Sequence, residues 1–349
     1  MAERWEPLPA SAYKEDFRPR QPALPASYNT KRGNTAPVRA SSPRSQVPIA
    51  WAGSRVKFTN IDKVLWPEEG YTKADVITYY EAVAQVLLPH LRGRPIIMER
   101  YPNGIADRYF LQKDALPHHT PDWLLPYIHE VDAPEVRRNI RYIVADERDV
   151  LLYLANYAAI TLHPWSSRID SLDYPDYVLL DLDPVDAPFS SVQAIALELK
   201  NVLDELGLRA YPKTSGRTGL HVYLPVTEHS ITYRDATVFA EAIAKVVAQR
   251  NKDATTQRRV QYRKKGTIYV DALQNGRGKT LAGVYSLRAW PRAPVSTPLR
   301  WTELKKPLDP TDFNIETVPG RVTRAGDLFE PVLRDKQDIR HLVRTLHNL

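Results

Sequence analysis

The chain contains no cysteine. Disulfides and thiolate zinc sites are thereby excluded, and any metal must be held by oxygen or imidazole. Long apolar runs are also missing. None approaches the roughly 20 residues of a membrane-spanning helix, and residues 1–10 lack the apolar core of a signal peptide. The expectation is a cytoplasmic protein with no membrane partner. Its 349 residues and 43% apolar composition are enough for one large domain or two lobes. There is no internal repeat, and the Gly-x-x-x-x-Gly-Lys-Ser/Thr spacing of a P-loop does not occur.

Basic charge is plentiful. The net charge of +7 and pI of about 9.3 suit a polyanionic partner such as DNA. Residues 1–57 carry ten Lys/Arg against four Asp/Glu, so +6 of the total sits in the first sixth of the chain. Eight prolines fall within residues 1–50 with no helical or alternating pattern, so this stretch is expected to be extended or disordered in isolation. Two readings stay open for it: an arm laid along nucleic acid, or a solubilising tail.

Order is expected from about residue 56. Thr72 and Asp75 form a capping-box signature ahead of Val76, Tyr79, Val83, Val86 and Leu87, predicting a helix that ends before Gly93. A strand at 95–98, a second helix over 141–157 and the segment 160–165 complete a first α/β lobe, residues 56–165. The second lobe, 166–305, reads as strand (177–182), helix (191–206, closed by Gly207), strand (221–226), helix (234–250) and strand (267–273). That order predicts a mixed sheet with helices on one face. Residues 1–55 form the basic arm, and 306–349 a C-terminal extension with an amphipathic helix from Asp335.

The apolar strand from Tyr177 ends in Asp181-Leu182-Asp183-Pro184. On a strand, i and i+2 share a face, so the two carboxylates lie a few ångströms apart and are costly unless a cation sits between them. Pro184 is expected to stop the strand and leave the pair at a sheet end. Asp271 closes a second apolar run, Thr267-Ile268-Tyr269-Val270-Asp271. If the two strands are neighbours, three carboxylates converge. Hard oxygen ligands of this number suit Mn²⁺ or Mg²⁺, and two such ions about 4 Å apart activate a 3′-hydroxyl and stabilise leaving pyrophosphate. A bare Asp-x-Asp also caps turns, and it opens haloacid-dehalogenase-type phosphatases. A metal-dependent phosphohydrolase and a DNA-end or gap binding module without catalysis therefore remain as alternatives.

Residues 211–221 form a glycine-punctuated basic loop leading into a strand, of the kind that presents N–H groups and cations to phosphate oxygens, or else a hairpin turn with surface charge. Ser215 and His221 are candidates for sugar or phosphate contact. Gln274-Asn275-Gly276-Arg277-Gly278-Lys279-Thr280 follows Asp271, and Arg288 lies just beyond. Lys279 and Arg288 supply the cations that a triphosphate site needs.

These segments together resemble the polymerase domain of the bacterial end-joining ligase D, a branch of the archaeo-eukaryotic primase superfamily. The blocks are Asp181-Leu182-Asp183-Pro184, Ser215 to His221 with Val222-Tyr223-Leu224-Pro225, Leu273 to Ala282, and Ala293 to Trp301. Upstream they are Thr59 to Pro67, Thr72 to Val76, Tyr101-Pro102-Asn103-Gly104, Gln112-Lys113-Asp114 and Leu162-His163-Pro164-Trp165. Together they span roughly residues 56–305. The resemblance implies a primase-polymerase fold, an N-terminal α/β lobe packed on a catalytic lobe related to the RNA-recognition motif. It implies template-dependent addition of preferentially ribonucleotides, from NTPs or dNTPs, at short gaps or breaks in DNA. Asp181, Asp183 and Asp271 would hold the metals. Ser215, Arg217, His221, Gln274, Lys279 and Arg288 would hold the nucleotide, with His163 facing its sugar. Asn60, Lys63 and Lys73 match a pocket for the downstream 5′-phosphate, with Phe110 as a template-stacking ring and Lys113 beside it.

Three positions depart from that pattern: Trp290 replaces a second arginine, Thr218 a lysine, and Leu111 a second template-side aromatic. The chain carries no ligase Lys-x-Asp-Gly motif, so the expectation is a freestanding, monomeric, nucleoid-associated bacterial member. It would work beside a separate ligase or end-joining and excision-repair proteins.

Overall fold

The computed structural model describes residue 24 and residues 51–115, 120–133 and 138–348; the arm expected at 1–55 lies almost wholly outside them. A small ribbon, β1 (Val64–Trp66) with β2 (Tyr71–Thr72), leads into α1 (Lys73–Leu91). The capping box forms: the Thr72 hydroxyl accepts from Asp75 N–H, and the Asp75 carboxylate accepts from Thr72 N–H at 2.8 Å. The buried face of α1 carries Val76, Tyr79, Val83 and Leu87.

The first sheet comprises β3 (Pro95–Arg100), β4 (Phe110–Gln112), β5 (Ile128–Ala133) and β6 (Arg138–Val144). After α2 (Arg148–Asn156) it is completed by β7 (Ala159–Pro164). Its order is β4-β3-β6-β5, with β7 along the other edge of β3. The helix expected over 141–157 is a correction. Residues up to Val144 are strand, because Ile140 and Tyr142 alternate into a small core with Val131 and Trp165 while β6 pairs with β5 along its length. Helix begins only at Arg148. Cross-strand packing overrides the weak helical periodicity there.

The second sheet is built from β8 (Tyr177–Val185), β9 (Tyr211–Thr214), β10 (Leu220–Pro225), β11 (Ala254–Thr255) and β12 (Thr267–Asp271), in the order β11-β12-β8-β10-β9. It is mixed: β11 runs parallel to β12, and the other pairs are antiparallel. Between these strands, α3 (Phe189–Glu205) and α4 (Tyr233–Arg250) cover one face, burying Val178, Leu180, Leu182, Val222 and Val270. Alternation therefore turns Leu179, Asp181 and Asp183 to the opposite face, toward the first lobe. Pro184 does not stop β8, which runs on to Val185. Pairing with β10 has already ended at Leu182, so Pro184 lies where the strand is paired only with β12 and its missing N–H is tolerated. The expected strand through residue 273 stops at Asp271.

The C-terminal region adds α5 (Thr317–Ala325), α6 (Pro331–Arg334) and α7 (Arg340–His347), the last starting later than Asp335. Val343 of α7 joins the core of the second lobe. Val318, Phe329 and Val332 join that of the first, as do Tyr285, Leu287 and Val295. The lobes are thus stitched by returning chain. Among the described residues no helix is long and apolar enough to cross a membrane.

Candidate active site

One row of side chains crosses four strands of the second sheet. Asp181 on β8 stands opposite Asp271 on β12 and, on its other side, opposite His221 on β10; His221 in turn stands opposite Lys213 on β9. Directly paired residues have Cα atoms roughly 4.5–5.5 Å apart, so this register places the two carboxylates side by side. Asp183 lies two residues further along the same face, opposite Tyr269. Two glycines let the β9–β10 turn close over this row. A Cβ on Gly219 would stand 2.5 Å from the Leu182 carbonyl oxygen, and one on Gly216, whose φ is +75°, 2.5 Å from Arg288 Cγ.

The acids are held differently. Burial, then the charges of Asp183 and Asp271, push the Asp181 carboxyl well above the ordinary range; burial and Asp271 push Asp183 up as well. Asp181 Oδ1 is buried with no hydrogen-bond partner, 3.4 Å from His221 Nε2. Asp271 is fully occupied: its Oδ1 accepts from Leu273 N–H at 2.7 Å and Tyr269 O–H at 3.2 Å, and its Oδ2 from Gln274 Nε2 at 3.0 Å. With Asp271 drawn to its own turn, no three His, Asp or Glu side chains among the described residues form a closed metal cage. The register supplies the acids; the side chains are not gathered around a single point.

Lys213, which the sequence places in a loop, is a fully buried strand residue behind His221. Its ammonium lies 2.7 Å from His221 Nδ1 and donates to the Ala282 carbonyl at 2.9 Å and Ser296 Oγ at 2.6 Å. Burial and the Arg288 charge lower the Lys213 pKa; burial and the Lys213 charge lower that of His221. The Ser215 hydroxyl accepts from the N–H groups of Arg217 and Gly219, which shapes the turn.

Across the cleft the first sheet contributes Glu99 from β3 and His163 from β7, whose Oε2 and Nε2 stand 3.7 Å apart. Arg288 donates to the Ser215 carbonyl at 3.0 Å, and the Arg217 guanidinium lies 5.4 Å from the centre of the Trp290 ring. Among the described residues eleven buried side-chain polar atoms lack a hydrogen-bond partner. Five of them belong to Glu99, His163, Asp181, Arg217 and Arg288. Orphaned groups of both signs concentrated in one cleft mark a place where a ligand completes the bonding. Lys279 stays exposed in the loop after β12, its stem against Gly276, while its neighbour Arg277 pairs with Asp173 at 2.9 Å.

A second cavity of about 250 Å³ is lined by Asn60, Lys63, Lys73, Arg100 and Asn156 among others. Lys63 donates to Asn103 at 2.9 Å and Lys73 to the Asn156 carbonyl at 3.1 Å. Burial, with Lys63 nearby, brings Lys73 down to about 8. Arg100 adds a cation that sequence reasoning missed, although it directly precedes the Tyr101-Pro102-Asn103-Gly104 block. Phe110 is 57% exposed at the start of β4, with Lys113 just past its end. Tyr109 stacks on Tyr101 with ring centres 5.4 Å apart, and Leu111 packs on the small core of the first sheet.

A two-lobed α/β architecture with paired acids on the inner face of an RNA-recognition-like sheet is that of the primase-polymerases. The chain belongs to the LigD primase-polymerase domain family, whose model matches residues 72–329. Its fold matches the "Polymerase Domain from Mycobacterium tuberculosis Ligase D in complex with DNA" with a TM-score of 0.73 and 31% identity, over 81% of this chain and all of that one. It is 33% identical over 300 residues, 84% of its length and 47% of the relative's, to the bifunctional non-homologous end joining protein LigD of Bacillus subtilis. It is also 33% identical to the multifunctional LigD of Mycolicibacterium smegmatis, over 80% of this chain and 36% of that protein. The chain thus spans less than half the length of these curated relatives.

Proposed function

We propose that this protein is a template-dependent DNA repair polymerase that adds nucleotides, preferentially ribonucleotides, to 3′-hydroxyls at short gaps or breaks. The observation that carries this reading is the group of buried polar atoms without hydrogen-bond partners around the cleft: Asp181 Oδ1, the Nε atoms of Arg217 and Arg288, and His163 Nε2. Family membership gives it the polymerase class.

Asp181, Asp183 and Asp271 would hold two Mn²⁺ or Mg²⁺ ions. The donor set fits: three hard carboxylates share one sheet face, and Asp181 Oδ1 has no hydrogen-bond partner. Asp271 would turn from its hydrogen bonds with Leu273 and Gln274 to join them. Bound there, the ions would lower the barrier to attack of the 3′-hydroxyl and neutralise the leaving pyrophosphate. Arg217 and Arg288 would take the triphosphate oxygens with Lys279 closing from the loop, Ser215 would shape the turn that presents them, and His221, braced by Lys213, would donate to the substrate. His163 would contact the sugar. Asn60, Lys63, Lys73 and Arg100 would grip the downstream 5′-phosphate, and Phe110 and Lys113 the template. It would act on DNA in the bacterial cytoplasm, as a monomer together with ligase and end-joining activities.

The test is extension of a labelled primer across a 5′-phosphorylated gap, with Mn²⁺ and either NTPs or dNTPs. The expected result is addition of a few templated nucleotides, faster with NTPs. Tight DNA binding with no incorporation under any metal would leave a binding module instead.

A further inference from the structure

Glu99 is the one acid on the cation-rich side of the cleft for which the reading above has no use. It is 8% exposed, and its Oε2 is buried without a hydrogen-bond partner. Burial alone would favour its neutral form, but His163, Arg288 and Arg217 outweigh that and hold the carboxyl well below the ordinary range. It is therefore a fixed negative charge set among the groups that would grip phosphate. A carboxylate serving only to brace the arginines would hydrogen-bond to them. Instead Arg217 Nε and Arg288 Nε are also buried without hydrogen-bond partners, and the one close contact of Glu99 Oε2 is the His163 imidazole, at an ion-pair distance of 3.7 Å.

The gap between these groups is thus lined by guanidinium donors and by an acceptor that repels anions. A free polyphosphate satisfies the first and is pushed away by the second. A polyphosphate that arrives with a divalent cation would satisfy both, because the cation would cancel roughly two of its roughly four negative charges and supply positive charge that the carboxylate attracts.

We propose that Glu99 is a specificity-determining residue that makes the phosphate side of the cleft select cation-complexed polyphosphate over the free anion. The inference rests on the nucleotide-site reading above and assigns Glu99 a role within it. Loss of this one negative charge leaves Arg217 and Arg288 uncompensated, so free polyanion binds more tightly, while the complexed ligand loses an attraction and gains little.

The experiment is isothermal titration of the full chain with inorganic tripolyphosphate, once in EDTA and once in excess Mg²⁺, for the unmodified protein, Glu99→Gln and Glu99→Ala. In EDTA both variants are expected to bind at least about tenfold more tightly than the unmodified protein; in Mg²⁺ all three are expected to agree within about threefold. Equal or weaker metal-free binding by variants that melt like the parent overturns the proposal, as does an equal gain in both buffers. So does absence of binding by every protein. If the variants misfold, equal affinity of the unmodified protein for the free and Mg²⁺-bound probe overturns it by itself. Gap extension, measured separately, reports on the polymerase reading: selectivity without incorporation sinks that reading and leaves this one standing.

Discussion

Asp181 and Asp271 face each other directly across the β8–β12 ladder, one oxygen of the first without a hydrogen-bond partner and both oxygens of the second engaged. Three acids crowded on one sheet face are costly when all are ionised, and this has a measurable consequence. The folded pKa of Asp181 lies above its unfolded value of about 4, so the stability it contributes is complete below that value and is lost as pH climbs through the folded one. At pH 7.5 without metal, Asp181→Asn should raise the melting temperature by a few degrees, on the order of 1–2 kcal/mol. The gain should vanish near pH 4. Mn²⁺ should stabilise the unmodified protein more than the variant. Calorimetry at both pH values checks this, and a variant less stable than its parent at pH 7.5 would count against the strained site.

The cavity lined by Lys63 and Lys73 carries its own pH signature. Lys73 titrates near 8 and is charged below that value, so preference for a 5′-phosphorylated gap over an unphosphorylated one should fall as pH rises from 7 to 9. Lys73→Ala should flatten that slope, and Lys63→Ala with Lys73→Ala should remove the preference. Fluorescence anisotropy on the two gapped duplexes measures it; a preference unchanged in the double variant would place the phosphate elsewhere.

The Trp290 ring lies 5.4 Å from the Arg217 guanidinium. A cation–π contact contributes about 0.5–2 kcal/mol. Trp290→Ala should therefore raise the KM for nucleotide several-fold while kcat changes less, as expected when binding rather than chemistry is weakened. Steady-state extension kinetics separate the two, and a fall confined to kcat would contradict this role.

Much of the site is legible in the sequence because it follows from strand alternation. Two acids spaced i, i+2 at the end of an apolar run must share a face, and the capping box at Thr72 fixes where α1 begins. What the sequence hides is register. Nothing local tells that Asp271 pairs with Asp181 rather than with a residue two positions away. Nor does it tell that Lys213, inside what reads as an exposed basic loop, is pulled into the sheet to brace His221. Arg100 and Glu99 sit side by side on β3 and so point to opposite faces, the cavity lined by Lys63 and Lys73 and the cleft. The helix expected over 141–157 fails for the same reason, since pairing with β5 decides the state of residues 138–144.

The most direct test of the acids' role is extension of a gapped, 5′-phosphorylated primer-template with Mn²⁺ and NTPs by Asp181→Ala, beside a DNA-binding measurement on the same variant. Extension is expected to fall by at least about a thousandfold while DNA affinity changes little. Extension at the parental rate by a folded Asp181→Ala protein would contradict it.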